Sequence, residues 1–342
     1  MLDQLSLLAG AEDVIVSLGP PPAHPSVRPA AVVHRPMGSA WLAGRCKLAA
    51  GSAEVLHAWS AEAARALLAP SVRESRGLVL SLPCAPRRAE LSGPAQWSRC
   101  ERFRVTVPTE AARRRLTAAG SSPEAVHVLP PPAAVPEERT DCRVRDELGV
   151  GDDDVLLASP APMTRDAGAK YAPWVHAVLR QIRPDVRLIL PGGGPAERNV
   201  RFYVGSTGCG GEVFLTGDRY PRGEVLAAAD VAVFLFERDC GLAALVAAMS
   251  AGVPIVASRT PEVAEAAPDG EAAVLVRPCD PRDASGGVLR VLEDPSLAER
   301  LGRAAQARAR AMFDPAASRK ALEEIYADVA SSVPGIGASS AQ

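Results

Sequence analysis

The chain has 342 residues, 47% of them apolar, which is material for two cores of ordinary domain size. A net charge of −2 and an aromatic content of 4% offer neither the basic footprint nor the stacking platforms of a nucleic-acid binder. Seven cysteines, at 46, 84, 100, 142, 209, 240 and 279, are scattered and never form C-x-x-C. That pattern predicts reduced thiols in a cytoplasmic protein, with no disulfide or zinc framework and no metal. No apolar run approaches the ~18 residues of a membrane span, which leaves only peripheral membrane contact open.

Residues 1–10 read as the tail of a helix closed by Gly10, followed by a strand at Val14–Leu18 and a Pro-rich loop at 20–29. Further strands are expected at Ala31–His34, Val55–Ser60, Leu78–Leu82, Arg104–Val107 and Val126–Leu129. Helices are expected at 38–50, 61–69 and 110–119, the last capped by Thr109 with Glu110 at its positive end. A lone histidine at a strand end, His57 reads as a packing or hydrogen-bonded side chain ahead of a catalytic one. Pro-rich sequence at 130–136 opens a linker taken to run over 133–150.

The second half repeats the alternation. Strands are expected at Asp154–Ala158, Arg187–Leu190, Val213–Leu215 and Ala273–Val276, with helices at 172–182, 222–229, 283–293, 295–311 and 315–331. Residues 332–342 read as a disordered polar tail. The centre of this half is residues 230–262: a buried apolar strand, a break at Asp239-Cys240-Gly241, a helix with apolar residues at Leu242, Leu245, Val246 and Met249, and a second strand after Gly252. This βαβ unit puts its strand-to-helix loop where such folds bind ligands. Strands alternating with helices in both halves define an α/β protein with two Rossmann-like, doubly wound parallel sheets. The Gly192-Gly193-Gly194 triplet is not a dinucleotide fingerprint, because no helix opens directly from it, and a plain turn is the expected reading.

D-C-G-L-A-A-L-V-A-A-M-S-A-G-V-P-I-V-A-S, from Asp239 to Ser258, resembles the E-x-F-G-L-x-x-L-E-A-M-A-x-G-x-P-V-V-A-S pattern of the retaining glycosyltransferases of family four. These are the group 1 glycosyltransferases with the GT-B fold. The closing segments VLEDPSLAERLGRAAQARA and L-E-E-I-Y-A resemble that family too, and VLHAWS and RVTVPTEAARRRLTAAG do so more weakly. The resemblance implies two Rossmann-like domains facing a cleft: an acceptor-side domain at 1–132, abridged because the chain begins inside the family's first helix, and a donor domain at 151–312. A final helix at 313–331 would cross back to the first domain.

By the same resemblance the donor is a nucleotide-diphosphate sugar, the acceptor a hydroxyl of unspecified kind, and no cofactor or metal is required. Arg165 and Lys170 match the family's diphosphate-binding pair. Gly193 matches a G-x-G-P turn beside the cleft. Cys240, Gly241 and Leu242 open the helix whose N–H groups would hold phosphate. Asp239 falls on the first glutamate of the pattern, the catalytic position, and Glu262 on a proline–glutamate pair. The second glutamate, which accepts hydrogen bonds from ribose, is replaced by Ala247. Losing such a bond costs roughly 1.5–3 kcal/mol, about ten- to a hundredfold in affinity. Two readings therefore stand: a sugar-transferring enzyme acting with retention, and a non-catalytic GT-B scaffold that binds or partners another protein.

Overall fold

A computed structural model describes residues 16–18, 31–33, 54–59, 64, 76–83, 92–133 and 143–331. The expected helices at 1–10 and 38–50 and the tail at 332–342 lie outside the described residues, as does the expected helix at 61–69 apart from Ala64. The chain divides into two compact units, Met1–Pro132 with Pro315–Gln342, and Ala133–Asp314. Each carries parallel sheet, so the protein is α/β.

In the first unit, β1 (Val16–Leu18) pairs in parallel with β2 (Ala31–Val33). A separate four-stranded parallel sheet follows the order β3 (Val55–Ala58), β4 (Gly77–Ser81), β5 (Phe103–Val107), β6 (Val126–Val128). Every residue of β4 is buried, as a central parallel strand covered on both faces should be. The short helix α1 (Ser92–Trp97) precedes β5, and α2 (Glu110–Ala118) follows it, its first turn capped where Ala112 N–H donates to Thr109 Oγ1 at 3.1 Å. The C-terminal helix α11 (Pro315–Ser331) packs on β3, β4 and β5, burying Val329 completely. Gly77 admits that helix: a Cβ there would stand 2.0 Å from Val329 Cγ1.

The second unit holds a six-stranded parallel sheet in the order β12-β11-β10-β7-β8-β9. Its strands are β7 (Val155–Ala158), β8 (Val186–Pro191), β9 (Val213–Gly217), β10 (Val231–Phe234), β11 (Ile255–Ser258) and β12 (Val274–Val276). Along each strand, neighbouring residues point to opposite faces. Leu156, Ala158, Ala232 and Phe234 enter one core layer, and Leu157, Val231 and Val233 enter the other. The first layer is covered by α3 (Arg143–Leu148), α6 (Arg222–Ala228), α7 (Leu242–Ala251) and α8 (Pro261–Ala266). The second is covered by α4 (Ala172–Leu179), α5 (Glu197–Ser206) and α9 (Pro281–Glu293), and α10 (Pro295–Met312) contributes to both.

Three expectations change here. The stretch read as a linker at 133–150 carries α3, whose Val144 is fully buried against the core and whose Arg145 donates to Ala228 O and Asp154 O. A helix does follow the glycine triplet, three residues after Gly194, because α5 starts at Glu197. And α7 is not one-sided: Leu242, Ala244, Leu245, Val246, Ala248, Met249 and Ser250 are all buried. It lies between the sheet and the neighbours α6, α8 and α10, so small residues fill the faces that a surface helix would make polar. Gly302 of α10 permits this, since a Cβ there would stand 2.3 Å from Gly252 O at the end of α7.

Candidate functional site

The chain adds β8 and β9 on one side of β7, then returns to add β10, β11 and β12 on the other. The strand order therefore reverses between β7 and β10, and the loops leaving their C-terminal ends diverge there. Such a switch point opens a crevice that α/β sheets use for ligands.

The loop after β7, residues 159–171, is fixed from both sides. Met163 N–H donates to Gly193 O at 3.2 Å, and Ala196 N–H donates to Met163 O at 2.8 Å, tying it to the turn after β8. Gly194 is needed there, because a Cβ would stand 2.5 Å from Met163 O. On the other side, Glu237 N–H donates to Asp166 O at 2.9 Å. Gly168 has φ 65°, and a Cβ on it would lie 1.7 Å from Leu235 O, so only glycine fits between this loop and the end of β10. The loop ends in a single 3₁₀ turn, Ala169–Tyr171, that runs into α4.

This frame brings the predicted residues to one edge of one sheet. Arg165 is exposed, and its guanidinium has no ion-pair partner among the described residues. Lys170 Nζ pairs with Glu237 at 2.6 Å and lies 4.8 Å from the centre of the Tyr171 ring. Gly193 is exposed in the turn after β8. Cys240 is half-buried against the α7 core layer, and Leu242 is buried beneath it. Gly241 takes a left-handed conformation, φ 72°, and opens α7 without a side-chain cap. In the first turn of this ten-residue helix Ala244 N–H donates to Gly241 O at 2.9 Å, which leaves the Leu242 and Ala243 N–H groups without an intrahelical acceptor at the crevice edge.

Asp239 is buried, and its Oδ1 accepts a hydrogen bond from Glu262 N–H at 3.0 Å, so it caps the first turn of α8. Glu262 is itself 2% exposed, so both acidic residues joined by this bond are buried. Ala247 is half-buried on α7 and supplies no acceptor.

Four further residues at this edge escaped the sequence reading. Burial, and then the neighbouring Cys279 and Glu237, raise the Tyr171 pKa above the ordinary phenol range, keeping it neutral. Cys279 follows β12 and is a non-glycine residue with positive φ, 59°. The Ser258 and Thr260 hydroxyls are buried without hydrogen-bond partners among the described residues. Their only trace in sequence is a pair of hydroxyl residues at the end of an apolar strand.

His57, in the first unit, is held elsewhere. Its Nδ1 lies 2.6 Å from Tyr326 hydroxyl and its Nε2 lies 2.7 Å from Ser81 Oγ, with Trp59 stacked on the ring at 4.6 Å. Both ring nitrogens are engaged in joining α11 to the sheet, a packing role. Burial drops its pKa to about 3, so it is neutral at pH 7.

Two parallel-sheet units of this kind match the fold of GT-B glycosyltransferase structures. Residues 143–308 match the family described as Glycosyl transferases group 1. Among curated proteins, the chain is similar to the D-inositol 3-phosphate glycosyltransferase of Corynebacterium diphtheriae, with 35% identity over 153 residues, 43% of this chain and 35% of that protein. The chain spans about half or less of the curated relatives it matches. Among solved structures, HepE of Anabaena in complex with UDP-glucose superposes with a TM-score of 0.76 at 18% identity, covering 87% of this chain and 85% of that one. Sucrose-phosphate synthase of Thermosynechococcus elongatus gives 0.74 at 18% identity, over 92% and 88%. At these identities the superpositions establish the fold alone.

Proposed function

We propose that the protein transfers a sugar from a nucleotide-diphosphate donor to a hydroxyl acceptor, with retention at the anomeric carbon, as a member of family four. The observation that carries this reading is the uncapped N-terminus of α7 at the switch point, beside the loop that bears Arg165 and Lys170. Backbone N–H groups and two cations are what a departing diphosphate requires. The group 1 match over the same unit supports it, and the UDP-glucose bound by the Anabaena neighbour points to a uridine nucleotide as the first donor to try. Residues 151–312 would form the donor half and residues 1–132 the acceptor side.

In the step we envisage, the bond from the anomeric carbon to the β-phosphate oxygen breaks as the acceptor oxygen bonds to the same face. The acceptor proton passes to the leaving phosphate. The protein's part is to position the reactants and stabilise phosphate charge, with Arg165, Lys170 and the α7 N–H groups on the diphosphate and Asp239 beside the sugar. Gly193 and Cys240 would line the pocket, and Glu262 would fix Asp239 from below. No helix among the described residues is long and apolar enough to cross a membrane. We place the reaction in the cytoplasm, with membrane contact, if any, peripheral.

A second reading, a non-catalytic scaffold, is favoured by two observations: Lys170 is already paired with Glu237, and Ala247 cannot hold ribose. The test is a panel of nucleotide sugars scored by melting temperature, followed by donor hydrolysis with candidate acceptors. A donor that both stabilises the protein and is consumed establishes the enzyme. A fully folded protein that responds to none of them establishes the scaffold.

A further inference from the structure

At the opposite edge of the six-stranded sheet, where β8 and β9 begin, three side chains of metal-binding type converge. His176 comes from α4, and Cys209 and Glu212 come from the segment between α5 and β9. One ligand atom of each lies within 4.8 Å of the other two. His176 is completely buried and Cys209 is 1% exposed. His176 Nε2 stands 3.0 Å from Val186 O and 3.5 Å from Glu212 Oε2. His176 Nδ1 and Glu212 Oε2 are both buried without a hydrogen-bond partner among the described residues. Buried polar atoms are nearly always satisfied, so two orphans in one cluster mark a place where something else binds.

Arg180, one turn after His176, defines what remains free. Its Nη2 lies 3.2 Å from Glu212 Oε1, and its Nη1 lies 3.3 Å from Cys209 Sγ. The guanidinium therefore takes one carboxylate oxygen and leaves the other turned toward the imidazole. The Cys209 thiol meanwhile donates to Thr207 O at 3.3 Å.

We propose that His176, Cys209 and Glu212 form a site for a divalent transition metal of the zinc class. One imidazole, one thiolate and one carboxylate suit zinc, and three protein ligands leave a fourth position for water. Ligand distances of about 2.0–2.3 Å require the donor atoms to lie roughly 3.3–3.8 Å apart, so the cluster must contract by about 1 Å. On binding, Cys209 releases its thiol proton to solvent, and His176 turns its ring from Val186 O to the metal. Arg180 stays on Glu212 Oε1 and the sulfur, balancing the two anionic ligands from outside. The Arg180 and Glu212 side chains, 31% and 28% exposed, provide the way in. The metal would clip the end of α4 to the edge of the sheet.

Cobalt(II) titration of the tag-free full chain tests this, because a thiolate ligand gives an intense near-ultraviolet charge-transfer band. One equivalent should produce that band, excess zinc(II) should abolish it, and zinc should raise the melting temperature. Cys209→Ser should lose both responses while keeping the native circular dichroism. Should that variant not fold, Glu212→Gln decides, with cobalt affinity expected to fall at least tenfold. Absence of a sulfur-to-cobalt band in the wild type would overturn the assignment. So would a band unchanged in folded Cys209→Ser, which would reflect other thiols, or an affinity unchanged in Glu212→Gln.

Discussion

Gly168 shows how much a single residue holds at this site. Its φ of 65° and the 1.7 Å approach of a would-be Cβ to Leu235 O leave no room for a side chain. Gly168→Ala should cost about 1–2 kcal/mol for the left-handed backbone alone, with the steric clash added. Urea denaturation checks the loss, and nucleotide affinity should fall with it. Lys170 is a different case, since its charge is shared. Glu237→Gln should release the ammonium, so a nucleoside diphosphate should bind severalfold more tightly, whereas an unchanged affinity in calorimetry would show that Lys170 does not reach the phosphate. His57 links the fold to pH. Its pKa is about 3 in the folded chain against an ordinary 6.5, so the unfolded state takes up its proton first. Stability is complete above about pH 6.5 and declines as pH falls toward 3. Melting temperatures between pH 7 and pH 4 should therefore fall more steeply for the wild type than for His57→Gln.

The elements divide into those that local sequence specifies and those that packing specifies. The strands β7, β10 and β11 are apolar on both faces, β8 is so apart from Arg187, and all four were legible as strands. So were α9, α10 and α11, whose boundaries lie within two residues of expectation. The helix α3 was hidden by the Pro-rich sequence before it, and α5 by an opening turn with no capping side chain. The position of α7 could be read, but not that it is buried on nearly every side, because the covering helix α10 is distant in sequence. The site was legible in the same partial way. Arg165, Gly193, Gly241 and Leu242 come to one sheet edge, while the Lys170–Glu237 pair and the Tyr171–Cys279 contact depend on loops meeting in space. Asp239 illustrates the difference most sharply, because the residue that aligns with the first acid of the motif uses its carboxylate to cap α8. Asp239→Ala should cost about 0.5–2 kcal/mol by loss of that cap, measurable by thermal unfolding, and Asp239→Asn should recover most of it.

At the scale of the whole molecule, the C-terminal helix belongs to the unit that begins the chain. It buries Val79, Ile325 and Val329 in one cluster, and Arg104 pairs with Asp328 at 2.7 Å. Deleting residues 315–342 should expose β4 and make residues 54–133 sensitive to limited proteolysis, while 143–312 remains a resistant core; equal resistance of both would contradict this assignment of α11. For the second unit we propose that the switch point binds a nucleoside diphosphate, weakly because Ala247 offers the ribose no acceptor. Calorimetric titration with uridine and guanosine diphosphates, on the wild type, Lys170→Ala and Ala247→Glu, tests it most directly. The account predicts weak binding by the wild type, a loss of about tenfold or more in Lys170→Ala, and a comparable gain in Ala247→Glu. An affinity unchanged in Lys170→Ala, or no binding by any of the three folded proteins, would contradict it.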